Sequence, residues 1–328
     1  MKDQTSSNIT SDQNEFSSFS VDSLVDNSIT DFDLFLPVKE HFVLYSSSGY
    51  RWLKEELDAL IKGGYQHFAI RRKDLPRAKI YQKISTLPSI SEGLAPHERI
   101  ASIEQVGTTF VKCLYEGEIT DACVEKGKSI ATSIVHCIAE DNSCIQRLGQ
   151  LADHDYYTYH HSVRVASYAI AICTELGINN TKQLCEIALG GIFHDIGKKD
   201  VPAEVIHKQG ALNEEEWKHM RSHPEKGHLA VQNTVLSHVS KEIILHHHEK
   251  MDGSGYPHNH DRSTLLPEVQ IATVADVFDA LTSNRAYQVK RTHFDALEFM
   301  KSKMIGTKLP LDPFKALISC LAKQAKNN

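Results

Sequence analysis

The sequence predicts a mainly α-helical protein with a small N-terminal α/β domain. Between residues 31 and 92, two strand-like segments flank one amphipathic helix. From about residue 98 to the end, apolar residues recur instead at three- and four-residue spacing, which is typical of helices packed on a core. With 328 residues and 41% hydrophobic content, the chain is long enough for two packed domains.

Residues 1–30 predict a disordered tail. This segment contains eight Ser and three Thr, several acidic residues, and few apolar residues, which follow no period. A segment of this composition buries too little apolar surface to offset the entropy of ordering. A docking segment for a partner is the functional alternative for the same composition.

Residues 31–92 predict a small α/β domain. Residues 35–45 have a strand pattern, residues 52–61 have helical spacing that Gly63 and Gly64 stop, and residues 66–72 form a second strand pattern. The segment has no cluster of ionisable side chains. We therefore expect it to serve recognition or regulation through protein partners, with a ligand-free packing module as the alternative.

The remaining chain, residues 98–328, predicts one helical domain in which residues 98–150 form connecting helices. Almost no strand pattern interrupts it, and no internal repeat stands out. The predicted helices cover residues 100–115, 119–139, 158–176, 182–195, 213–222, 237–248, 267–283, 293–304 and 312–323.

Composition and charge restrict the function. A net charge of −6 gives no general attraction to a nucleic-acid polymer or an anionic membrane, so an anionic ligand requires a local positive site such as bound metals. The seven cysteines are odd in number and scattered, which predicts reduced thiols in the cytoplasm. The sequence has no apolar run of about 18 residues and no signal-peptide pattern, so we expect no membrane span.

Histidines are concentrated in one part of the chain. Fourteen of the 19 lie between residues 154 and 260. Neutral imidazole and carboxylate are the usual ligands of hydrolytic metal centres, so this concentration predicts a metal site. The fragments concerned are HHS at 160–162, FHDIGKK at 193–199, HPEKG at 223–227, HHHEKMDGSGYP at 246–257 and VADVFDALTSNRAY at 274–287.

The adjacent pair His194–Asp195 indicates two metals. Consecutive helical residues point about 100° apart, so His194 can bind one ion while Asp195, with two oxygens, bridges to a second. Lys198 would polarise a water or a phosphate oxygen, and a solvated lysine is its alternative. A buried Asp195–Lys198 salt bridge alone would leave His194 unexplained.

Other candidate ligands lie at helix ends and on apolar helix faces. His161 begins an apolar helix, where a packed histidine is the alternative, and His223 lies at a helix start before Pro224. Asp276 lies among apolar residues and needs a cation partner, but spacing alone does not separate it from Asp279.

The three consecutive residues His246, His247 and His248 cannot all point in one direction. We expect two of them to be ligands and one to face outward. Two cations about 3.5–4 Å apart can then share a hydroxide and clamp phosphoryl oxygens. The donor set thus favours phosphoester hydrolysis.

At these residues the chain resembles a known family. HDxGK followed by HHExxDGSGYP is similar to the HD-GYP subclass of the HD metal-dependent phosphohydrolases, over about residues 150–300. The resemblance implies an HD-type helical bundle that hydrolyses the bacterial second messenger cyclic di-GMP through a bridging hydroxide. It implies two divalent metals, Fe or Mn, and leaves His246 as the outward residue. The implied ligands are His161, His194, the bridging Asp195, His223, His247, His248 and Asp276.

The resemblance also implies residues for catalysis and substrate binding. Lys198 resembles the active-site lysine of the family and acts with Asp195. The signature loop that shapes the pocket contains Asp252, Gly255 and Tyr256. Arg285 matches a residue that meets a substrate phosphate in the family; a helix-end salt bridge is its alternative.

Departures from the family pattern refine these expectations. Tyr157 stands one helical turn before the first histidine, where some members carry a Glu that holds a third metal, so we expect two metals and the linear product pGpG. After GYP the usual Gly-Leu is Asn259–His260, and Gln288 replaces an Arg. The substrate-facing lip is thus altered while the ligands are kept.

The altered lip leaves two other functions open. One is a weakly active or inactive cyclic di-GMP receptor or protein-interaction module, in which the metals serve the structure. The other is a hydrolase of a different phosphorylated nucleotide that uses the same metal pair.

Overall fold

The computed structural model describes residues 13–91, 93–148, 157–283 and 290–322. They divide into two compact units, residues 13–89 with Asp121–Lys126, and the described parts of Ile90–Thr120 and Gly127–Asn328. The predicted class, mainly α with a small sheet near the N-terminus, is confirmed. None of the helices in the described ranges has the length and apolarity to cross a bilayer.

The first unit is built on a four-stranded antiparallel sheet in the order β1-β6-β3-β4, beside a two-stranded pair of β2 and β5. Its core is aromatic: Phe19, Phe32, Trp52 and Phe68 are all almost fully buried. The elements are β1 (Phe16–Ser20), β2 (Ile29–Thr30), β3 (Leu34–Val38), β4 (His41–Ser46), β5 (Tyr50–Arg51), β6 (His67–Arg71), α1 (Lys54–Lys62) and α2 (Leu75–Ser91).

The disordered tail predicted for residues 1–30 is wrong for its second half. β1 pairs with β6 along its whole length, from Phe16 opposite Arg71 to Ser20 opposite His67. Phe16 and Phe19 are buried in this unit, although serines separate them in sequence. Strand preference depends on cross-strand packing, which composition does not reveal. Residues 1–12 lie outside the described part of the chain.

Two further elements of this unit differ from the prediction. The single strand expected over residues 35–45 is the hairpin of β3 and β4, which turns at Lys39, a residue with a left-handed φ of 55°. Helix α2 was not predicted; Ala78, Tyr81 and Ile84 on it are buried. The helix prediction for residues 52–61 and the strand prediction for residues 66–72 agree with α1 and β6 within two residues.

The second unit is helical, and each of the nine predicted helices corresponds to an observed one. Two additional short helices, α7 and α9, lie between the predicted ones. The bounds are α3 (Pro96–Glu116), α4 (Asp121–Glu140), α5 (Tyr157–Glu175), α6 (Thr181–Phe193), α7 (Ala203–Ile206), α8 (Glu214–Arg221), α9 (His223–Val231), α10 (His238–His246), α11 (Pro267–Thr282), α12 (His293–Lys303) and α13 (Leu311–Ala322).

Helix α5 is the centre of this unit. It packs against α3, α6, α11 and α13, and its residues 161–173 are all buried. A helix that is buried all round must satisfy any polar side chain it carries within the protein. His161 and Arg164 on α5 are therefore placed where only protein groups or a bound ion can be their partners.

Candidate metal centre

Asp195 lies at the centre of the histidine cluster, and its two carboxylate oxygens face different groups. Oδ2 lies 3.4 Å from His194 Nε2 and 3.7 Å from His161 Nε2. Oδ1 lies 3.2 Å from His223 Nε2 and 3.8 Å from His247 Nε2. Each oxygen thus belongs to a separate set of imidazoles, as a bridging carboxylate requires.

Two groups of side chains can each hold an ion, and they share Asp195. One consists of His161, His194 and Asp195, and the other adds His223, His247 and His248 to the same carboxylate. Within each group the ligand atoms lie within 4.8 Å of one another. The structure thereby brings together every histidine that the sequence assigned to the centre.

Asp276 completes the arrangement from α11. Its Oδ1 lies 3.1 Å from His161 Nε2 and its Oδ2 3.6 Å from His248 Nδ1. Asp279, one turn further along the helix, contacts the opposite nitrogen of His161 at 2.7 Å. The geometry thus places Asp276 on the ligand side of His161 and Asp279 behind it, a choice that spacing alone could not make.

The histidine rings are oriented by acceptors behind them. Nδ1 of His194 donates to the Gly191 carbonyl at 2.7 Å, and Nδ1 of His223 donates to the Met220 carbonyl at 2.7 Å. The Nδ1 atom of His247 likewise faces a helix carbonyl. Because a carbonyl oxygen only accepts, these Nδ1 atoms carry the proton and each Nε2 presents a lone pair to the centre.

A buried ionic network supports His161, and sequence reasoning missed most of it. Arg164 donates to both oxygens of Asp279, at 2.7 and 3.2 Å, and to Glu104 Oε1 at 3.2 Å. Asp279 in turn accepts from His161 Nδ1. Arg164 lies three residues after His161 and therefore on the same face of α5, which was the available sequence signal.

The charges around Asp195 favour its ionised form. Burial alone raises the pKa of Asp195, but His194 and Lys198 outweigh it and hold the pKa well below its ordinary value. Lys198 donates from Nζ to Asp195 Oδ2 at 2.6 Å. Tyr115 donates its hydroxyl to the Asp195 backbone carbonyl at 2.9 Å, which fixes the main chain at this point.

The environment of the histidines in the second group favours their neutral form. Burial lowers the pKa of His247 and of His248 well below the ordinary value, and neighbouring imidazoles lower them further. Neutral imidazole is the form that binds metals. Burial also lowers the pKa of Lys250, and the charge of Asp276 opposes this shift, so a second lysine that the sequence analysis did not single out interacts electrostatically with this carboxylate.

Two glycines allow the elements of the centre to approach one another. A Cβ atom at Gly197 would lie 1.9 Å from the His223 carbonyl oxygen, so only glycine lets the turn after Asp195 contact the start of α9. A Cβ atom at Gly255 would lie 2.4 Å from Glu249 Cα, so the GYP loop folds directly over the chain that follows His248. These positions explain two glycines of the HDxGK and GYP motifs.

The residues fit a metal pair. His194 Nε2 and Asp195 Oδ1 are buried, and within the described residues neither has a hydrogen-bond partner. A buried imidazole nitrogen whose lone pair accepts no hydrogen bond destabilises the folded protein unless a ligand binds to it. An imidazole-rich set with two carboxylates suits divalent Fe, Mn or Zn better than Mg or Ca.

The signature loop borders the centre through Tyr256. Its ring lies 4.7 Å from the His248 ring, and the Arg221 guanidinium lies 6.0 Å above it. Asp252 is exposed and accepts from the backbone and hydroxyl of Ser254, so it shapes the loop. Arg221 was not singled out from the sequence. Arg285 and Gln288 lie outside the described residues.

His246 does not face outward, contrary to the sequence expectation. Its side chain is buried, and its ring lies 4.7 Å from His260 and 5.3 Å from His258. Burial, and then these neighbouring imidazoles, lower the pKa of His246 to about 4. The helix end points this ring away from Asp195 as expected, but residues after the GYP motif cover it.

Residues 148–308 match the family model described as HD domain. This segment of the chain belongs to the HD domain family. A cyclic di-GMP phosphodiesterase of Pseudomonas aeruginosa is 36% identical to it over 142 residues, which are 43% of this chain and 34% of that protein. A 3'3'-cGAMP-specific phosphodiesterase of Vibrio cholerae is 32% identical over 162 residues, which are 49% of this chain and 37% of that protein.

A cyclic di-GMP phosphodiesterase response regulator of Xanthomonas campestris is 35% identical over 139 residues, 42% of this chain and 36% of that protein. The matched segment of this HD domain chain therefore spans about a third of the length of these curated relatives. The family recognised from the HDxGK and GYP motifs is confirmed by these matches.

The fold has a solved counterpart. An HDG"Y"P protein from Bdellovibrio bacteriovorus matches with a TM-score of 0.64 and 21% identity, over 93% of this chain and 99% of that one. At this identity the likeness establishes the fold, and the HD-type helical bundle with a small N-terminal α/β domain is confirmed.

Proposed function

We propose that the protein is a metal-dependent phosphodiesterase that hydrolyses cyclic di-GMP to linear pGpG. The observation that carries the proposal is Asp195, whose two oxygens face two separate imidazole sets. Relatives at 35–36% identity bear the name cyclic di-GMP phosphodiesterase, which supports this substrate.

The centre would hold two divalent ions, Fe or Mn. His161, His194 and Asp276 would bind one, His223, His247 and His248 the other, and Asp195 both. Bound there, such ions polarise phosphoryl oxygens and acidify water at neutral pH. Because the chain carries a net charge of −6, this local positive charge is what attracts an anionic dinucleotide.

The protein groups around the centre have separate tasks. Lys198, whose Nζ donates to Asp195, would act as the proton donor to the reacting phosphate. The Tyr256 ring lies 4.7 Å from the His248 ring and is tilted by 33° to it, and its aromatic face would stack against a base. Arg221, whose guanidinium lies 6.0 Å from the Tyr256 ring, would supply a cation next to that ring.

Turnover by the full-length protein tests the proposal. The protein would be purified anaerobically, loaded with Fe or Mn, and incubated with cyclic di-GMP while the products are resolved. Conversion to pGpG that depends on the metal is the expected result. Binding of cyclic di-GMP with no turnover in any metal would instead support the receptor function.

A second substrate is favoured by a specific observation. The Vibrio cholerae relative at 32% identity is named as specific for 3'3'-cGAMP, and it matches a larger share of this chain than the Pseudomonas aeruginosa relative does. Competition between the two dinucleotides in one reaction measures the ratio of their kcat/KM values. A ratio that favours 3'3'-cGAMP would indicate that the same metal centre hydrolyses a phosphorylated nucleotide other than cyclic di-GMP.

Arg285 remains a prediction for substrate binding. Its planar guanidinium suits a phosphate, and Arg285→Ala should weaken cyclic di-GMP binding by about ten- to a hundredfold, the loss expected for one charge-assisted contact. Calorimetry on both proteins, with metal content measured in each, tests this. Equal affinities would remove Arg285 from the binding site.

A further inference from the structure

A second group of ligand-type side chains lies beside the metal centre. His246, Glu249 and His258 offer ligand atoms within 4.8 Å of one another, and none of the three belongs to the groups around Asp195. The His260 ring lies 4.7 Å from His246 and 5.4 Å from His258. We call these four residues the outer histidine cluster.

Two atoms of the cluster are buried without a partner. His246 Nδ1 and Glu249 Oε2 are inaccessible, and among the described residues neither makes a hydrogen bond. The Glu249 side chain is 0% exposed, and His246 Nδ1 lies 3.9 Å from its other oxygen, Oε1. A buried carboxylate oxygen without a donor is costly unless a cation meets it.

The other oxygen of Glu249 fixes the loop. Oε1 accepts from the His258 backbone N–H at 2.6 Å, so the main chain after the GYP motif is tied to this carboxylate. The His258 side chain is 43% exposed, so an ion can reach the cluster from solvent at this residue. His260 stands where the family pattern has a leucine.

We propose that the outer histidine cluster binds one transition-metal ion of the zinc type, with His246, Glu249 and His258 as ligands and His260 beside them. Imidazoles with one carboxylate form a typical zinc donor set. Ligand atoms around zinc lie about 2.0–2.2 Å from the ion, so the exposed His258 ring would rotate inward to close the site. The ion would neutralise Glu249 and hold the loop against the end of α10.

The loop after the GYP motif departs from the family pattern at His260. A bound ion would give this departure a structural role. His247 and His248, which belong to the catalytic centre, lie between His246 and Glu249 in sequence. An ion in the cluster would therefore fix both ends of the segment that carries them. It would be separate from the ions that Asp195 bridges.

Zinc stoichiometry tests the site. Full-length protein would be stripped with a chelator and titrated with zinc, and the ions retained after dialysis would be counted. His258→Ala combined with His260→Ala should retain one ion fewer per chain than the wild type. His238→Ala is the matched control, because its imidazole is 78% exposed at the opposite end of α10, and it should retain the wild-type number.

Glu249→Gln gives an independent test in which the loop hydrogen bond is kept. The amide oxygen can still accept from His258, but the anionic ligand is gone, so the affinity for the additional zinc ion should fall at least about tenfold. Wild-type stoichiometry and affinity in both the double variant and Glu249→Gln would overturn the proposal.

Discussion

At the scale of single residues, Asp195 differs from the other ligands because it belongs to both groups. Each histidine contributes one nitrogen to one set, whereas the Asp195 oxygens lie 3.2 Å from His223 and 3.4 Å from His194 on opposite sides. Loss of a histidine therefore weakens one ion, while loss of Asp195 should affect both.

Asp195→Ala should reduce the metal content from two ions to fewer than one per chain and abolish hydrolysis. The reason is that both imidazole sets lose the central carboxylate that they share. Elemental analysis of metal-replete protein measures the content. Asp200→Ala, which removes an exposed carboxylate five residues later, is the control and should keep both ions. Retention of two ions by Asp195→Ala would refute the bridging role.

Lys198 is expected to serve the reaction rather than the assembly of the centre. Its ammonium contacts Asp195 Oδ2 but offers no lone pair to a metal. Lys198→Met should therefore keep the metal content and lower kcat by at least about a hundredfold, the usual size of a lost proton donor. Steady-state kinetics would measure this.

The neighbouring lysine provides the control for Lys198. Lys199 donates to the Gly117 carbonyl at 3.0 Å and does not contact Asp195, so Lys199→Met should leave kcat within about a few-fold of the wild type. Equal losses of kcat in Lys198→Met and Lys199→Met would indicate a general effect of the lost charge or of lower stability.

At the scale of elements, helices α5 and α11 are joined by a buried ionic network. Arg164 on α5 holds Asp279 on α11 and Glu104 on α3, and all three side chains are almost fully buried. Removing one partner of such a network leaves charges without compensation.

Arg164→Met should lower the free energy of unfolding by about 3–5 kcal/mol. Arg99→Met, which removes the ion pair with the half-exposed Glu140, should cost at most about 1 kcal/mol. Denaturant unfolding of the metal-free proteins measures both. Equal losses would show that the buried network contributes no more than a surface pair.

The pH dependence of the same network has a definite sign. Burial raises the pKa of Asp279, but Arg164 outweighs it and holds the pKa below its ordinary value. A carboxylate whose pKa is lowered by folding stabilises the folded protein at pH values above its unfolded-state pKa of about 3.9. This contribution is lost as the pH falls below that value. In Arg164→Met the pKa of Asp279 is no longer held down by the guanidinium, so acidification below about pH 3.9 should remove less stability from the variant than from the wild type, as measured by denaturant unfolding at several pH values.

At the scale of the whole molecule, the number of metals should determine the product. Tyr157 begins α5 one turn before His161, where a third metal would need a carboxylate. We expect two ions and accumulation of pGpG. Anomalous scattering from crystals of the loaded protein counts the ions. A third strong peak beside His161, or rapid complete conversion to GMP, would contradict this.

Local patterns were sufficient for nine helices of the second unit and for the residue types of the candidate centre, but not for α2, α7 and α9. Each of the nine helical patterns corresponds to an observed helix, because apolar spacing on a helix directly records which face is buried. The HDxGK and HHExxDGSGYP motifs identified the family, since their glycines allow close backbone approaches and their imidazoles form groups that could hold metal ions.

Only the tertiary structure decided which partners those residues meet. Asp276 and Asp279 share a helix and a residue type, and the rotation of α11 against α5 places one on each side of His161. The pairing of β1 with β6 likewise joins segments about 50 residues apart, so composition alone suggested disorder there. His246 was expected outside because its sequence neighbours bind metal, yet a later loop covers it. Sequence determined the chemistry available to this protein, while contacts distant along the chain determined where each group is used, because burial and partner choice depend on packing between elements.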